Sequence, residues 1–257
     1  MLKRIHLQLL ICLLFASSAA FAQGSLAHSH ASAREIIPDT STLFDRSRGR
    51  KIPVAYYFPK VNATAKVVIL NHGYGANQGG DYLKYSYIAN HLASMGYFVA
   101  SIQHELSTDS LIPTTGIPQI VRRPFWDRGA DNILFVINEL KKTNPKLDFK
   151  NITLIGHSNG GDMVALFPQK YPGIVNKIIT LDNRRMALPR NTSPKILSLR
   201  SSDQPADKDV LPDEQEAKKY AIQIVKLPDT IHNDMSDKAN PAQRNEINSY
   251  ILSFLKK

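Results

Sequence analysis

Apolar residues in this chain occur either in short continuous runs or at helical spacing, and the two patterns alternate. Several runs are apolar throughout, as in strands buried on both faces, and they predict strands over 51–59, 66–73, 97–105, 151–158, 177–182, 195–200 and 221–228. Spacing of i, i+3, i+4 and i+7 predicts helices through Ile133–Leu140 and Ile247–Leu255. This alternation over about 200 residues predicts an α/β fold, with a mostly parallel central sheet and helices on both faces.

The last predicted helix carries its own start signal. Asn240 suits the N-cap, Pro241 the first turn, and Gln243 the position from which a side chain can return to the cap backbone. The pattern shows no internal repeat and no second domain, so residues 34–257 are expected to form one domain.

The N-terminus differs from the rest of the chain. Lys3 and Arg4 precede an apolar run that ends in Ala20-Phe21-Ala22, a small-x-small cleavage pattern. This order predicts a cleaved secretory signal peptide at 1–22 and a secreted or periplasmic protein. The alternative is an uncleaved membrane anchor, for which the run is short. Residues 23–33, "QGSLAHSHASA", are small and polar and predict a loose tether.

The cysteine count and the net charge exclude several kinds of site and partner. The only cysteine, Cys12, lies within the signal, so the mature chain is expected to have no disulfide, no thiolate nucleophile and no cysteine-ligated metal. Loss of Lys3 and Arg4 takes the formal net charge from +10 to +8, and the remaining basic residues are dispersed. They predict a solvated basic surface rather than a nucleic-acid site. No later segment is long and apolar enough for stable membrane insertion.

The segment "GHSNGG" at 156–161 places a serine between a predicted strand and a predicted helix. Ser158 with Gly156 and Gly160 matches G-x-S-x-G, in which a sharp bend lifts the hydroxyl above the sheet and side chains two residues away would collide. The alternative is a structural turn rich in small residues. The position within the α/β pattern favours a nucleophile at Ser158.

A serine nucleophile needs a base to take its proton. His232, in "LPDTIHND", follows the last predicted strand, where the base is required when the chain order runs serine, acid, histidine. The remaining histidines fall in the signal, the tether, a predicted helix or turns: His6, His28, His30, His72, His91, His104 and His157. His232 is therefore the predicted base.

Acyl transfer also needs donors for the oxyanion. One is expected to be the backbone N–H of Asn159, directly after the serine. The other is expected from "NHGYG" at 71–75, where the N–H of Tyr74 is the first choice and that of Gly75 the second. The alternative for this segment is an ordinary glycine-rich turn.

Three aspartates compete for the acid that orients the base. Asp182 ends the strand "KIITLD", and Asp203 and Asp207 follow the strand "KILSLR". Because the acid must sit on a short loop beside the final strand, Asp203 is preferred. Asp182 is the alternative, although Arg184-Arg185 offer it a structural ion pair, and Asp207 is more remote.

Two segments shape the predicted cleft. Residues 104–126 are expected to form an irregular loop over the carboxyl edge of the sheet, with Phe125 and Trp126 walling the substrate pocket. Arg122 and Arg123 are expected to favour an anionic substrate; the alternative is that the aromatics pack the loop and the arginines face solvent. Residues 183–194 are too few for a helical cap, which predicts an open cleft.

The order "NHGYG", "GHSNGG", a late acid and "HND" resembles the α/β-hydrolase fold superfamily over roughly residues 50–257, and within it the lidless dienelactone-hydrolase and polyester-hydrolase groups. The resemblance implies a triad of Ser158, Asp203 and His232, with oxyanion donors at Tyr74 and Asn159. There are departures. Polyester hydrolases usually have methionine where Asn159 stands, and dienelactone hydrolases use cysteine as nucleophile, so the substrate is not inherited.

The leading hypothesis is a serine hydrolase that cleaves small-molecule or polymeric carboxylic esters through an acyl-enzyme, without a cofactor or metal. A peptidase or amidase could use the same triad. A catalytically silent binding protein of this fold is disfavoured because both nucleophile and base are present. A metal-dependent hydrolase lacks a convincing ligand cluster in the sequence.

Overall fold

The computed structural model describes residues 37–60 and 64–257, so the predicted signal peptide and tether lie outside the described residues. Its strands are β1 Asp39–Asp45, β2 Arg50–Tyr57, β3 Lys66–Asn71, β4 Phe98–Ile102, β5 Asp148–His157, β6 Lys177–Leu181, β7 Lys195–Arg200 and β8 Gln223–Lys226. Its α-helices are α1 Ser86–Ser94, α2 Pro118–Val121, α3 Arg123–Thr143, α4 Asn159–Lys170, α5 Glu214–Lys219 and α6 Pro241–Lys256. Single 3₁₀ turns span Asp81–Leu83 and His232–Met235.

The strands form one sheet in the order β1-β2-β4-β3-β5-β6-β7-β8. From β4 to β8 all neighbours are parallel, whereas β1 and β2 pair antiparallel at one edge. The predicted mostly parallel α/β sheet is confirmed.

Helices cover both faces of this sheet, which explains why its central strands are apolar throughout. In β3, Val67 and Ile69 pack with α3 and α4, whereas Val68 and Leu70 pack with α1 and α6. Alternate side chains of a strand point to opposite faces, so a strand covered on both sides must be apolar at every position.

Several element boundaries differ from the sequence prediction. Strand β1 was not predicted, because its sequence "DTSTLFD" is polar and nearly every side chain is exposed at the sheet edge. The segment 104–126 is not wholly irregular: it contains α2, and α3 begins at Arg123. The start of α6 is confirmed, since Asn240 Oδ1 accepts the N–H of Gln243 at 3.0 Å and the Gln243 side chain accepts the N–H of Asn240 at 2.8 Å.

The strand register brings the ends of β3, β5, β6 and β7 to one edge. Asn71 pairs with Gly156, His157 with Leu181, and Leu181 with Leu199. The residues that follow these strands therefore meet above that edge. Residues 182–194, which join β6 to β7, contain no helix, so no cap covers the edge there. In the described part of the chain, no helix is both long and apolar enough to cross a bilayer.

Candidate active site

Ser158 occupies a sharp turn between β5 and α4. Its backbone has φ 52° and ψ −119°, a conformation that costs a non-glycine residue about 1–3 kcal/mol. The flanking glycines permit the turn: a Cβ at Gly156 would lie 2.3 Å from the carbonyl oxygen of Gly160, and one at Gly160 would lie 2.4 Å from that of His72. The collision expected from the G-x-S-x-G pattern is thus present in the backbone.

Ser158, His232 and Asp182 are connected by two consecutive side-chain contacts. The Nε2 atom of His232 lies 3.0 Å from Ser158 Oγ, and its Nδ1 lies 2.5 Å from Asp182 Oδ2. The 3₁₀ turn that begins at His232 directs its ring back over the strand ends. The structure therefore brings together two residues expected from the sequence with the aspartate that was the second choice.

Asp182 is fully buried, and three hydrogen-bond donors and one guanidinium charge surround its carboxylate. Oδ1 accepts the N–H of Ser201 at 3.0 Å and pairs with Arg200 Nη2 at 2.9 Å, and Oδ2 accepts the Ser201 hydroxyl at 2.7 Å besides His232. Burial acts to raise the pKa of Asp182, but the hydrogen bonds from His232 and Ser201 and the charge of Arg200 outweigh it, so this pKa lies below its usual value.

The preference for Asp203 as the partner of Nδ1 was wrong. Asp203 is exposed, and its Oδ1 accepts the backbone N–H of His232 at 2.7 Å rather than the ring N–H. In the sheet β6 is the direct neighbour of β5, whereas β7 lies one strand further away, about 4.8 Å. With the ring of His232 over Ser158, Nδ1 faces the end of β6. Asp207 is further out and receives a hydrogen bond from Gln119 at 3.3 Å.

A second buried histidine braces the turn. His157 Nε2 lies 3.0 Å from the carbonyl oxygen of His232, and its Nδ1 lies 2.7 Å from the hydroxyl of Tyr85, which accepts the N–H of Gly73 at 3.1 Å. A carbonyl only accepts, so Nε2 carries the proton and Nδ1 accepts from Tyr85. Burial, followed by the nearby charge of His232, lowers the pKa of His157 to about 3, which keeps the ring neutral.

The expected oxyanion donors both lie near Ser158. Asn159 is the first residue of α4, where a backbone N–H has no acceptor within the helix. Tyr74 lines the cavity into which Ser158 opens. The Asn159 side chain is fixed underneath, because its Oδ1 accepts the Trp126 indole N–H at 2.8 Å and its Nδ2 donates to Glu105 Oε1 at 3.0 Å.

The expectation that Phe125 and Trp126 wall the substrate pocket was wrong. Because α3 begins at Arg123, Trp126 faces inwards and has no exposed surface. Phe125 lies under the guanidinium of Arg128, 5.3 Å from its ring centroid. The cavity at Ser158 is lined by neither residue.

Comparison with known proteins agrees with this architecture. Residues 66–201, more than half of the chain, match the alpha/beta hydrolase fold family. The chain belongs to that family. No curated protein matches its sequence.

Solved structures similar to this α/β hydrolase include fungal esterases from Rhizomucor miehei, at 15% identity over 88% of this chain and 84% of that one, with a TM-score of 0.65. An a/b serine hydrolase without a lid from Xanthomonas campestris shares 15% identity over 82% of this chain and 90% of its own, with a TM-score of 0.53. The Pyrococcus horikoshii acylaminoacyl peptidase shares 14% identity over 88% of this chain but only 42% of its own, with a TM-score of 0.66. At these identities the likeness establishes the fold.

The cavity of this α/β hydrolase at Ser158 is small and polar. It measures about 240 Å³, and besides Ser158 and His232 its walls include Asp81, Lys84 and Lys238. The Lys84 ammonium donates to Asp81 Oδ1 at 2.6 Å, so that carboxylate is neutralised locally. A larger cavity of about 740 Å³ lies beside Arg50 and Arg128 and shares no lining residue with the cavity at Ser158.

Sequence reasoning missed three supporting residues of this α/β hydrolase: Tyr85, Glu105 and Arg200. Only Arg200 carried a usable signal, because a charged residue that ends an otherwise apolar strand must find a partner at the sheet edge. Glu105 also follows an apolar strand, β4, but Gln103 and His104 separate it from the strand end and weaken the signal. Tyr85 lies outside any motif, since its role comes from packing between separate segments.

Proposed function

We propose that this α/β hydrolase is a serine esterase in which Ser158 is the nucleophile, His232 the general base and Asp182 the acid that orients it. The observation that carries the proposal is the continuous hydrogen-bonded path from Ser158 Oγ through both ring nitrogens of His232 to a buried carboxylate. A turn residue would need neither the strained backbone nor the path.

In the first half of the reaction, His232 Nε2 takes the proton of Ser158 as Oγ attacks the ester carbonyl carbon. The carbonyl oxygen becomes an oxyanion and accepts the N–H groups of Asn159 and Tyr74. Asp182 stabilises the imidazolium. His232 then gives its proton to the departing alkoxide, the carbon–oxygen bond breaks, and an acyl-enzyme and an alcohol result.

In the second half, a water molecule gives a proton to His232 and attacks the acyl carbon. The tetrahedral intermediate collapses with cleavage of the bond to Ser158 Oγ. His232 returns its proton to that oxygen, which frees the carboxylic acid and restores the starting state.

The small polar cavity and the absence of a helix over residues 182–194 favour short-chain or surface-accessible esters. Because no cap has to move, the rate on a long-chain ester should show no jump at its micellar threshold. A jump there would contradict an open cleft.

Labelling with a fluorophosphonate tests the proposal directly. The wild-type protein should react once, at Ser158, and Ser158→Ala should neither react nor turn over p-nitrophenyl butyrate while keeping its circular dichroism spectrum. A folded wild-type protein that does not label would identify a binding protein instead. Faster turnover of matched anilides than of esters would indicate a peptidase or amidase.

We also propose that the protein is exported, on the charge–apolar–Ala-x-Ala order of its first 22 residues. Mass spectrometry of protein from the native host should find Gln23 at the N-terminus. Intact residues 1–22 on that protein would refute export by cleavage.

A further inference from the structure

Two arginine side chains at the carboxyl edge of the sheet lack partners among the described residues. Arg122 directly precedes α3, and Arg185 lies between β6 and β7. Both Nε atoms are buried and donate to nothing in the described part of the chain. The ion pairs of the described arginines all involve other residues. A buried N–H without an acceptor is destabilising, so this arginine pair points to an acceptor from outside the chain.

A hydrogen bond from a side chain links the segments that carry the arginine pair. Gln119 Nε2 donates to the carbonyl oxygen of Arg185 at 3.2 Å, which seats α2 on the segment after β6. Arg122 is three residues after Gln119 and so lies on the same helical face. Burial lowers the pKa of Arg122, and the positive charge of Arg185 lowers it further, as expected for two neighbouring guanidinium groups.

The nearest acids, Asp162 and Asp207, attract Arg122 by their charge but form their hydrogen bonds with other groups. Asp162 Oδ1 accepts three backbone N–H groups, those of residues 184 to 186, at 3.1, 2.9 and 2.9 Å. Asp207 accepts from Gln119. Arg184 adds a third positive charge nearby, and its guanidinium is bound to Gln204 and to the carbonyl oxygen of Pro205. Positive charge therefore exceeds negative charge at this point, and the Nε donors of the arginine pair remain unused.

The segments that carry the arginine pair are tied to the start of α4, next to Ser158. The backbone N–H of Arg185 donates to Asp162 Oδ1 at 2.9 Å, and Asp162 lies four residues after Ser158. Arg122 precedes Trp126 by four residues, and the indole N–H of Trp126 donates to Asn159 Oδ1 at 2.8 Å. We propose that Arg122 and Arg185 bind an oxyanion group, a carboxylate or phosphate, of a ligand at this edge of the cleft. Guanidinium forks match such groups in geometry and charge. We expect this oxyanion group to be part of the ester substrate, and this expectation rests on the proposed function.

Arg123 does not share this role and faces solvent, which is the alternative that the sequence left open. Its Nε pairs with Asp127 Oδ2 at 3.0 Å on the surface, and its side chain is 49% exposed. Arg123→Gln is therefore a matched control, since it removes the same charge from the next residue along the chain.

The experiment compares ester pairs of equal length that differ by one carboxylate. Monomethyl adipate and methyl hexanoate place the charge on the acyl side; 4-acetoxybutanoate and butyl acetate place it on the alcohol side. In the wild type, kcat/KM should be higher for one of the anionic esters than for its neutral partner. This ratio of anionic to neutral ester should fall at least about tenfold in Arg122→Gln and in Arg185→Gln. It should not fall in Arg123→Gln. Fluorophosphonate labelling of each variant verifies folding, and Arg185→Lys serves if Arg185→Gln does not fold.

Inorganic phosphate tests the other source of the same chemistry. A free anion as the ligand predicts that millimolar phosphate raises the Tm of the wild type and of Arg123→Gln. It should then leave the Tm of Arg122→Gln and Arg185→Gln unchanged, and no ester preference should exist. The proposal would be overturned if the wild type showed no preference for an anionic ester and phosphate did not raise its Tm. If Ser158 does not label and no ester is cleaved, the esterase proposal fails while the phosphate measurement still decides on the arginine pair.

Discussion

Replacing Asp182 by asparagine should nearly abolish turnover while leaving the fold intact. The carboxylate has two oxygens with distinct partners: Oδ1 faces Ser201 N–H and Arg200, and Oδ2 faces His232 Nδ1 and the Ser201 hydroxyl. An asparagine has one oxygen and one NH2 group. Arg200 only donates, so the amide oxygen must take the Oδ1 position and the NH2 group must face His232.

That orientation puts the proton of His232 on the wrong nitrogen. Facing an NH2 donor, Nδ1 must accept, so the neutral ring carries its proton on Nε2, the atom 3.0 Å from Ser158 Oγ. A protonated Nε2 cannot take the serine proton. Loss of the correct tautomer costs about 10³- to 10⁴-fold in kcat, or about 4–5.5 kcal/mol at about 1.36 kcal/mol per factor of ten.

The matched control is Asp203→Asn. Asp203 accepts only the backbone N–H of His232, and an amide oxygen can accept it equally well, so kcat should stay within about tenfold of wild type. Both variants are assayed on p-nitrophenyl butyrate after circular dichroism and thermal melts verify folding. A folded Asp182→Asn protein that keeps a tenth of wild-type kcat, or a thousandfold loss in Asp203→Asn, would refute the tautomer argument.

Two further substitutions and one pH measurement test the supporting structure. Gly160→Ala should lower Tm by several degrees, because its Cβ would lie 2.4 Å from the His72 carbonyl oxygen; an unchanged melt would contradict this close approach. Tyr85→Phe removes the hydroxyl that donates to His157 Nδ1 at 2.7 Å. It should lower the free energy of unfolding, measured by urea titration, by about 1–3 kcal/mol. An unchanged free energy of unfolding would contradict a structural role for this hydrogen bond. The depressed pKa of Asp182 makes its stabilisation complete above the ordinary value of 3.8 and lost as pH falls through the folded pKa; Asp182→Asn should flatten the acid limb of the stability curve, and an unaltered limb would oppose the assignment.

The sheet and the proximity of Ser158 and His232 could be predicted from sequence because their signals are local. Apolar runs mark strands buried on both faces, and the glycines flanking Ser158 answer a collision within one turn. His232 follows from chain order alone. These features need no knowledge of which strands are neighbours.

The carboxylate that contacts His232 Nδ1 and the residues that line the cavity could not be predicted, because both depend on spatial neighbours. Choosing between Asp182 and Asp203 requires knowing that β6 is adjacent to β5 and that Arg200 turns back towards the end of β6. The burial of Trp126 depends on where α3 begins, and its sequence carries only Pro124 as a start signal, without a capping side chain. A shift of a few residues in that boundary decides whether the indole faces the cleft or the core.

The sheet itself sets the spacing of the proposed triad. Ser158 and Asp182 both have positive φ, 52° and 58°, each a strained conformation for a non-glycine residue. Yet the N–H of each still donates to the adjacent strand: Ser158 to the carbonyl of Leu181 at 2.9 Å, and Asp182 to that of Leu199 at 2.8 Å. The parallel ladder thus continues to the residue past each strand end and fixes the N–H, while the positive φ redirects the side chain. The strain falls on residues whose backbones are already held by the hydrogen bonds between strands. The buried apolar strands therefore stabilise the geometry that the proposed reaction requires.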